Sequence, residues 1–438
     1  MNLFKQNLIE IKFIFFRYNT DFKKLSRKKM KKVAIILAIF AVFAFGAGNQ
    51  NKTPNKSQKH HILKLALAWE NTLPLLNQSA LEFKNYAEIM SGGKLKIQIY
   101  TPSQHKSNGQ IFDFVKDGKF DLGYTALYYY HEKDPKFTLF TAVPFGMTND
   151  EGHAWYYYGG GKELSEKMLS KYGVKAFLMG STQMQMGGWF KKEINSLDDL
   201  NGLKVRITGF GAEVMSKLGV TINTVPTNEL YKAFKMGTID AVKWINPIYD
   251  MGLNLHKVAD YYYIGWQEPS ANLHLLANKK IFENLPKDLQ MILETSARLA
   301  GENFKNKSFF GNAKNLEKLK TDYPNIQIKH FSDEIINAFK NATQEILEEN
   351  SAKDPLFKEI LHSQQKFQKI AREWKMTNEI AFLNSQNIKP KNDENLALFS
   401  DKNETQNSLN LLNLDKNSTN DKNKTTSVIT GDEANLTK

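Results

Sequence analysis

Arg206 stands near the end of the apolar stretch LKVRI (203–207), directly before the glycine-containing turn and short helical pattern of TGFGAEVMSKLG (208–219). In α/β proteins, ligands bind in the crevice at the carboxyl ends of the strands. A guanidinium group there keeps its charge, and its planar fork matches a carboxylate with two parallel hydrogen bonds. The N-terminus of the following helix favours an anion as well. The pattern indicates a site for a small organic acid, although an interlobe salt bridge or a solvent-exposed arginine would give the same pattern.

Tryptophans beside polar residues occur in three further stretches. These are QMQMGGWF (183–190), IDAVKWINPIYD (239–250), which contains Lys243 and Trp244, and YYYIGWQEPSANLHLL (261–276), which contains Trp266 and Glu268. Tryptophan rings can wall an apolar pocket around a few polar groups, as small-molecule sites require. Each of these rings taken singly belongs more often to a core, but the three stretches together favour a pocket.

Signatures of catalysis are absent from the sequence. It contains no His-Glu-x-x-His, no Gly-x-Ser-x-Gly and no Gly-x4-Gly-Lys-Ser/Thr motif. Gly209 and Gly211 begin a dinucleotide fingerprint, but Val214 stands where the third glycine would be. The chain also has no cysteine, which excludes thiolate nucleophiles, cysteine–zinc sites and disulfides. We therefore expect a binding protein, and a secreted enzyme on a two-lobe scaffold remains the first alternative.

Strand and helix patterns alternate in two parts of the chain, which predicts parallel βαβ units. The first part has strands at 62–68, 95–100 and 120–126, with helices at 74–90 and 111–115. The second part, residues 203–245, contains three strands and two helices in alternation. Residues 281–384 follow with mostly helical patterns, interrupted by a strand-like NIQIKHF at 325–331. Two α/β units in one chain predict an α/β protein of two lobes with a cleft between them.

A leader precedes these units. Residues 1–29 are a candidate upstream extension, and residues 30–48 combine Lys31 and Lys32 with thirteen apolar residues and GAG, which is typical of a signal peptide. We predict cleavage near Gly46–Gly48 and export to the periplasm, with an uncleaved N-terminal anchor as the alternative. Residues 49–61 read as a polar spacer, and the Asn/Lys-rich tail 387–438 as disordered.

The net charge of +13 is concentrated in the leader. Residues 1–32 contain ten Lys/Arg and two Asp/Glu, which gives +8 and leaves +5 for the remainder. A mild excess of basic residues spread along a chain serves solubility, so we expect no nucleic-acid partner.

The order of several motifs over residues 62–386 resembles the solute receptors of TRAP transporters, the tripartite ATP-independent periplasmic systems, and within them the branch that binds 2-oxo acids. The motifs are FTAVPFGM (140–147), WYYYGGGKEL (155–164), QMGGWFKKEI (185–194), LDDLNGLKVRITGFGAEVMSKLG (197–219), GTIDAVKWINPIYD (237–250) and REWKMTNEIAFLNS (372–385). The resemblance implies a two-lobe periplasmic binding protein fold with parallel-rich sheets, a hinged cleft and a long C-terminal helical region. On this resemblance, lobe I consists of residues about 62–183 plus part of 270–320, and lobe II consists of residues about 184–269 plus the C-terminal helices. It also implies delivery of a small carboxylate to a sodium-driven permease, and a homodimer in which the C-terminal region can swap between subunits. A receptor of the same fold that presents its ligand to a sensor kinase is the second alternative.

The same resemblance implies the site residues. Arg206 matches the arginine that clamps the ligand carboxylate, and Gln185 matches a glutamine that contacts both ligand and cation. Trp244 matches a pocket tryptophan whose backbone oxygen helps to hold the cation, and Glu268 matches a cation-ligating glutamate. The aromatic wall matches Tyr128 and Tyr129.

Lys243 departs from the family pattern, because family members that use a cation usually have glutamate before the tryptophan. An ammonium group in place of a carboxylate repels Na⁺ or Ca²⁺. We therefore expect no metal and no other cofactor, with Lys243 performing the electrostatic task of the cation and Glu268 as its partner. A lysine that points to solvent is the alternative.

Overall fold

A computed structural model describes residues 60–386 except 72 and 108, and within them eleven strands form two sheets. The strands are β1 (His61–Leu67), β2 (Leu95–Tyr100), β3 (Leu122–Thr125), β4 (Val174–Ser181), β5 (Gly188–Phe190), β6 (Lys204–Arg206), β7 (Thr221–Asn223), β8 (Ala241–Val242), β9 (Tyr261–Tyr263), β10 (Asn272–Asn278) and β11 (Gln327–Lys329). The predicted leader, signal peptide and tail lie outside the described residues, as does nearly all of the spacer.

Helices flank both sheets. They are α1 (Pro74–Met90), α2 (Pro102–His105), α3 (Ile111–Lys116), α4 (Lys136–Leu139), α5 (Asn149–Tyr158), α6 (Gly161–Leu169), α7 (Phe210–Lys217), α8 (Thr227–Met236), α9 (Pro247–Asp250), α10 (Lys279–Glu283), α11 (Lys287–Asp322), α12 (Asp333–Lys353), α13 (Pro355–Lys375) and α14 (Ala381–Ser385). Short 3₁₀ turns occur at Leu127–Tyr130 and elsewhere, and a π-helical stretch, Met376–Ile380, connects α13 to α14. Among the described helices, none is both long and apolar enough to cross a membrane.

The first sheet has the strand order β2-β1-β3-β10-β4 and defines the lobe that we call lobe I. Strand β1 pairs in parallel with β2 and β3, which confirms the predicted βαβ units. Strand β10 comes from much later in the chain and lies antiparallel between β3 and β4. Its buried run of Leu273, Leu275 and Leu276 fits a central strand that is covered on both faces.

The second sheet, of lobe II, has the order β11-β9-β5-β8-β6-β7. Strand β6 pairs in parallel with β7 and β8, while β5 runs antiparallel to β8 and β9. Both sheets are therefore mixed rather than uniformly parallel. Strands β6 and β8 are short parallel neighbours, so their carboxyl ends, which carry Arg206 and precede Lys243, lie close together.

The chain crosses between the sheets at residues 182–187 and 264–271, and α11 spans them as a third connection. Leu293 and Phe304 of α11 belong to the core around the first sheet, whereas Leu319 near its end packs with the aromatic core of the second. Three crossings beside a cleft are the arrangement of a hinged two-lobe protein.

The C-terminal helices divide between the lobes. Helix α12 contributes Ile335 and Phe339 to the core beside β9. Helix α13 contacts both lobes. In lobe I, Gln364 Nε2 donates to Leu139 O at 2.7 Å and Ser363 Oγ accepts from Trp155 Nε1 at 3.0 Å, and in lobe II, Phe210 packs edge-on against Phe357 of α13 with ring centroids 6.3 Å apart. The prediction that places all of the C-terminal helices in lobe II does not include these contacts of α13 with lobe I.

Candidate functional site

Strand pairing brings Arg206 and Lys243 together. In the parallel ladder of β6 and β8, Arg206 is the partner of Val242, and Lys243 N donates to Arg206 O at 2.9 Å. Both strands end here, so both side chains leave the sheet at its carboxyl edge, where a ligand crevice is expected. The strand predicted from IDAVKWI therefore ends one residue before Lys243.

The guanidinium group of Arg206 lies over an aromatic ring in the cleft. Its Cζ is 4.7 Å from the ring centroid of Trp244, and Nη1 is 3.4 Å from Lys243 O. Its Nε is buried and has no hydrogen-bond partner among the described residues. Burial lowers the pKa of Arg206, and the nearby Tyr128 and Glu268 oppose that shift. An arginine so placed is charged and retains a donor for an anion.

Lys243 is only 2% exposed, and its ammonium group has two close oxygen partners. Nζ lies 2.6 Å from Glu268 Oε1 and 2.6 Å from Gln185 Oε1. Burial lowers the pKa of Lys243, and the Glu268 carboxylate opposes that shift. The predicted pairing of Lys243 with Glu268 is confirmed, and the alternative of a solvent-exposed lysine is wrong. An ammonium group has three donors, so one N–H of Lys243 is left for another acceptor.

Gln185 and Glu268 lie on the two crossing segments, which hydrogen-bond to each other. Gln185 N donates to Glu268 O at 3.1 Å, and Gln185 Nε2 donates to Thr182 Oγ1 at 2.9 Å. This second bond fixes the amide so that its oxygen faces Lys243. Oε2 of Glu268 is buried and accepts no hydrogen bond from any described residue.

Aromatic side chains of lobe I face this polar group. Tyr128 packs edge-on against Tyr129 with ring centroids 4.7 Å apart, and burial beside Glu268 raises the pKa of Tyr128 well above its usual value. Tyr129 is 42% exposed and its hydroxyl accepts from Trp69 Nε1 at 3.1 Å. Tyr128 is therefore the inner ring and Tyr129 the outer one.

Asp250 stabilises the segment that carries Lys243 and Trp244. Its Oδ1 accepts from Ile245 N at 3.0 Å, while its Oδ2 accepts from Trp189 Nε1 at 3.0 Å and Tyr262 Oη at 2.8 Å. Burial raises the pKa of Asp250 to about 6, against the effect of these donors.

The structure thus brings all seven predicted residues close together: Arg206, Gln185, Trp244, Lys243, Glu268, Tyr128 and Tyr129. Two other tryptophans from the candidate stretches belong to the core, because Trp189 stacks on Tyr262 at 3.9 Å and Trp266 on Phe339 at 4.1 Å.

Trp69, Thr182 and Asp250 are not among the residues predicted from the sequence. Trp69 had a usable signal, since it follows strand β1 by two residues and so satisfies the same strand-end rule that pointed to Arg206. Thr182 and Asp250 act through other side chains, and no local pattern marks them.

Comparison with known proteins gives consistent results. Residues 68–354 match the family described as bacterial extracellular solute-binding protein, family 7. A monocarboxylate 2-oxoacid-binding periplasmic protein of Nostoc sp. is 36% identical over 322 residues, which cover 73% of this chain and 88% of that protein.

Two solved structures share this fold at high identity. A TRAP periplasmic solute-binding protein of Colwellia psychrerythraea, crystallised with calcium and pyruvate, is 43% identical with a TM-score of 0.73 and covers 75% of this chain and 100% of its own. One of Pseudoalteromonas atlantica, with sodium and pyruvate, is 42% identical with a TM-score of 0.72 and covers 75% of this chain and 99% of its own.

The expectation that no cation takes part is wrong. The Colwellia structure holds calcium together with pyruvate, and the Pseudoalteromonas structure holds sodium together with pyruvate. In the part of this chain that the structure describes, no group of three or more His, Asp or Glu side chains could hold a metal by itself. Of the side-chain oxygens of Gln185 and Glu268, the available one is Glu268 Oε2, since Glu268 Oε1 and Gln185 Oε1 face Lys243. Glu268 would hold the ion through that oxygen, and the ion would offset negative charge between Glu268 and a ligand carboxylate.

Proposed function

The chain belongs to family 7 of the bacterial extracellular solute-binding proteins, and we propose that its ligand is a small 2-oxo or 2-hydroxy acid such as pyruvate. It is a periplasmic receptor that works with the membrane permease subunits of a TRAP transporter. Support for this ligand class comes from the Nostoc relative, which is named for 2-oxoacid binding, and from the two neighbours crystallised with pyruvate.

The observation that carries the proposal is the buried Nε of Arg206, which has no partner among the described residues although the guanidinium group lies over the ring of Trp244. A buried donor without an acceptor costs free energy, and a ligand carboxylate would remove that cost. Arg206 and Lys243 with Glu268 carry a net charge of +1, to which a bound cation would add, and this positive charge favours an anion.

Each site residue then has a distinct proposed role. Arg206 binds the carboxylate through its planar fork, with Trp244 beneath the guanidinium group. The third N–H of Lys243 donates to the 2-oxo or 2-hydroxy oxygen. Gln185 and Glu268 fix the ammonium group. Tyr128 and Tyr129 form the wall that limits the length of the ligand.

Binding in this proposal includes no chemical step. The two lobes close over the ligand and release it unchanged. The cleft has charged and aromatic groups that position an anion, and the sequence lacks the motifs of the hydrolases, metalloproteases and nucleotide enzymes considered above. Incubation of the protein with ¹³C-pyruvate, followed by NMR, should recover the pyruvate intact, and any product that accumulates with the protein would contradict a pure receptor.

Calorimetry with pyruvate, lactate and methyl pyruvate tests the ligand class directly. Methyl pyruvate is the matched control, because it keeps the ketone and removes the carboxylate charge. We expect pyruvate to bind and the ester to bind at least about a hundredfold more weakly, as expected for a charged group that loses its hydrogen bonds in a buried site. Equal binding of acid and ester would exclude a carboxylate clamp.

We also propose a homodimer, on the basis of the apolar stripe of α13. Phe367 packs at the edge of the lobe I core, but Ile370 is 59% exposed and Trp374 is 65% exposed. Large apolar side chains exposed together on one helix favour a partner surface. Sedimentation velocity at micromolar concentration should show a dimer, and a monomer at all concentrations would contradict the proposal.

A further inference from the structure

A histidine of lobe I meets a glutamate of lobe II beside the ligand cleft. Nε2 of His131 lies 2.9 Å from Oε1 of Glu213. His131 directly follows the turn Leu127–Tyr130, which carries Tyr128 and Tyr129. Glu213 is in the first turn of α7, the helix that follows Arg206. The pair therefore connects the two elements that supply the aromatic wall and the carboxylate clamp.

The His131 ring is fixed on two further sides. Its Nδ1 is 2.9 Å from Thr138 Oγ1, and its ring packs edge-on against Phe210 with centroids 5.1 Å apart. Thr138 belongs to lobe I, whereas Phe210 belongs to α7. The imidazole is thus oriented by its own lobe and presents Nε2 to the other lobe.

Glu213 depends on this contact. Its Oε1 is buried and accepts no hydrogen bond of ordinary geometry from the described residues, so the electrostatic contact with His131 is what offsets its loss of water. A carboxylate oxygen buried without a partner is costly. Opening of the lobes would return this oxygen to water. The closed arrangement is therefore favoured only while the contact with His131 offsets the burial of the oxygen.

From this geometry we infer that His131 and Glu213 form a latch across the cleft, which holds the Tyr128 turn against α7 in the closed form and slows ligand release. The inference rests on the proposed receptor function, since a latch matters only where the lobes open and close around a ligand. The two residues are positioning residues and touch no ligand themselves.

Stopped-flow measurement of pyruvate release tests the latch, with the fluorescence of tryptophans near the cleft as the signal. In Glu213→Gln we expect the dissociation rate to rise about two- to fivefold, the range for a partly exposed polar contact. The association rate should not change, because the latch forms after encounter. The thermal midpoint of the ligand-free protein should also be unchanged, and a purely structural residue would move it.

Two more variants make the test specific. His131→Gln combined with Glu213→Gln should release pyruvate no faster than the faster of the two single variants, because either change already breaks the contact. The matched control is Lys217→Gln on the same helix, since Lys217 pairs with Glu345 and Glu349 of α12 and does not reach lobe I. The latch would be overturned if the effects of the two single variants on the release rate added up in the double variant. It would also be overturned if Glu213→Gln released pyruvate at the rate of an unmodified protein that binds it. Failure of the unmodified protein to bind any small carboxylate would instead overturn the receptor function on which the latch rests.

Discussion

Arg206 offers the most decisive perturbation of the proposed site. In the closed cleft its guanidinium group is the donor available to a ligand carboxylate, and its Nε is buried without a partner among the described residues. Arg206→Ala would leave the bound carboxylate buried and unpaired. Truncation of one member of a buried, hydrogen-bonded charge pair costs about 2–5 kcal/mol. That range corresponds to a loss of affinity of about thirtyfold to several thousandfold.

Stability should respond differently from affinity. Burial lowers the pKa of Arg206, which means that the ligand-free cleft disfavours the charge. Removal of the side chain relieves this cost but also removes the contact with the Trp244 ring, which is worth about 0.5–1 kcal/mol. Because these two effects oppose each other, we expect Arg206→Ala to change the free energy of unfolding of the ligand-free protein less than it changes the free energy of binding. The affinity for pyruvate should therefore fall while the stability of the ligand-free protein changes little.

The assay is calorimetric titration with pyruvate, paired with urea denaturation of the ligand-free protein. Arg298→Ala is the matched control, because Arg298 also lies over an aromatic ring, Tyr157 at 4.3 Å, but is on the surface of α11. It should bind pyruvate normally. Arg206→Lys should lose about tenfold in affinity, since one ammonium group cannot form the second parallel hydrogen bond. Pyruvate affinity within threefold of the unmodified protein in Arg206→Ala would refute the reasoning.

Three other perturbations follow from buried or exposed groups. Lys243→Ala leaves the Glu268 carboxylate buried and unpaired, so urea denaturation should show that the free energy of unfolding falls by about 3–5 kcal/mol. The double variant Lys243→Met with Glu268→Gln should recover most of that stability. Equal losses in the single and the double variant would argue against the ion pair. Burial lowers the pKa of His274 to about 3 and of His153 to about 4, below the usual 6.5. The unfolded chain then binds more protons below pH 6.5, so stability is complete above that pH and falls by about 1.4 kcal/mol per pH unit for each histidine on acidification. In urea denaturation at several pH values between 7.5 and 5, the stability of His274→Leu should fall less steeply with pH, by the contribution of one histidine. An unchanged pH dependence would mean that His274 does not resist protonation. Trp374→Ser should reduce the dimer fraction in sedimentation velocity, whereas an unchanged dimer would mean that α13 is not the interface.

Local patterns in the sequence are enough to place the helices and strands and the charged groups along them. The helix predicted at 74–90 and the strand at 95–100 are found with those bounds. Strands and helices follow from periodicity, which is a property of neighbouring residues. The position of Arg206 at a strand end is equally local, and so its place at the carboxyl edge of the sheet could be predicted. The pairing of Lys243 with Glu268 followed from charge complementarity once both were assigned to one cleft.

A count of charges at position 243 led to the wrong expectation about the cation. Replacement of a carboxylate by an ammonium group changes the local charge, but the count ignores which oxygens remain available. In the structure Lys243 uses one oxygen of Glu268, and the other is left without a partner among the described residues. The number of free oxygens depends on side-chain geometry, which the sequence does not contain.

Tertiary structure alone decided which distant segments meet. Strand β10 inserts between β3 and β4, and this brings the crossing segment with Glu268 back beside Gln185, more than eighty residues earlier. Pairing of β1 with β3 inside lobe I places Trp69 against Tyr129, and contact between the lobes places His131 against Glu213, at sequence separations of 60 and 82 residues. Contacts of this kind depend on the order of strands in two sheets and on the angle between lobes. Local propensity and periodicity constrain neither, because both are set by how the buried faces of all the elements pack together.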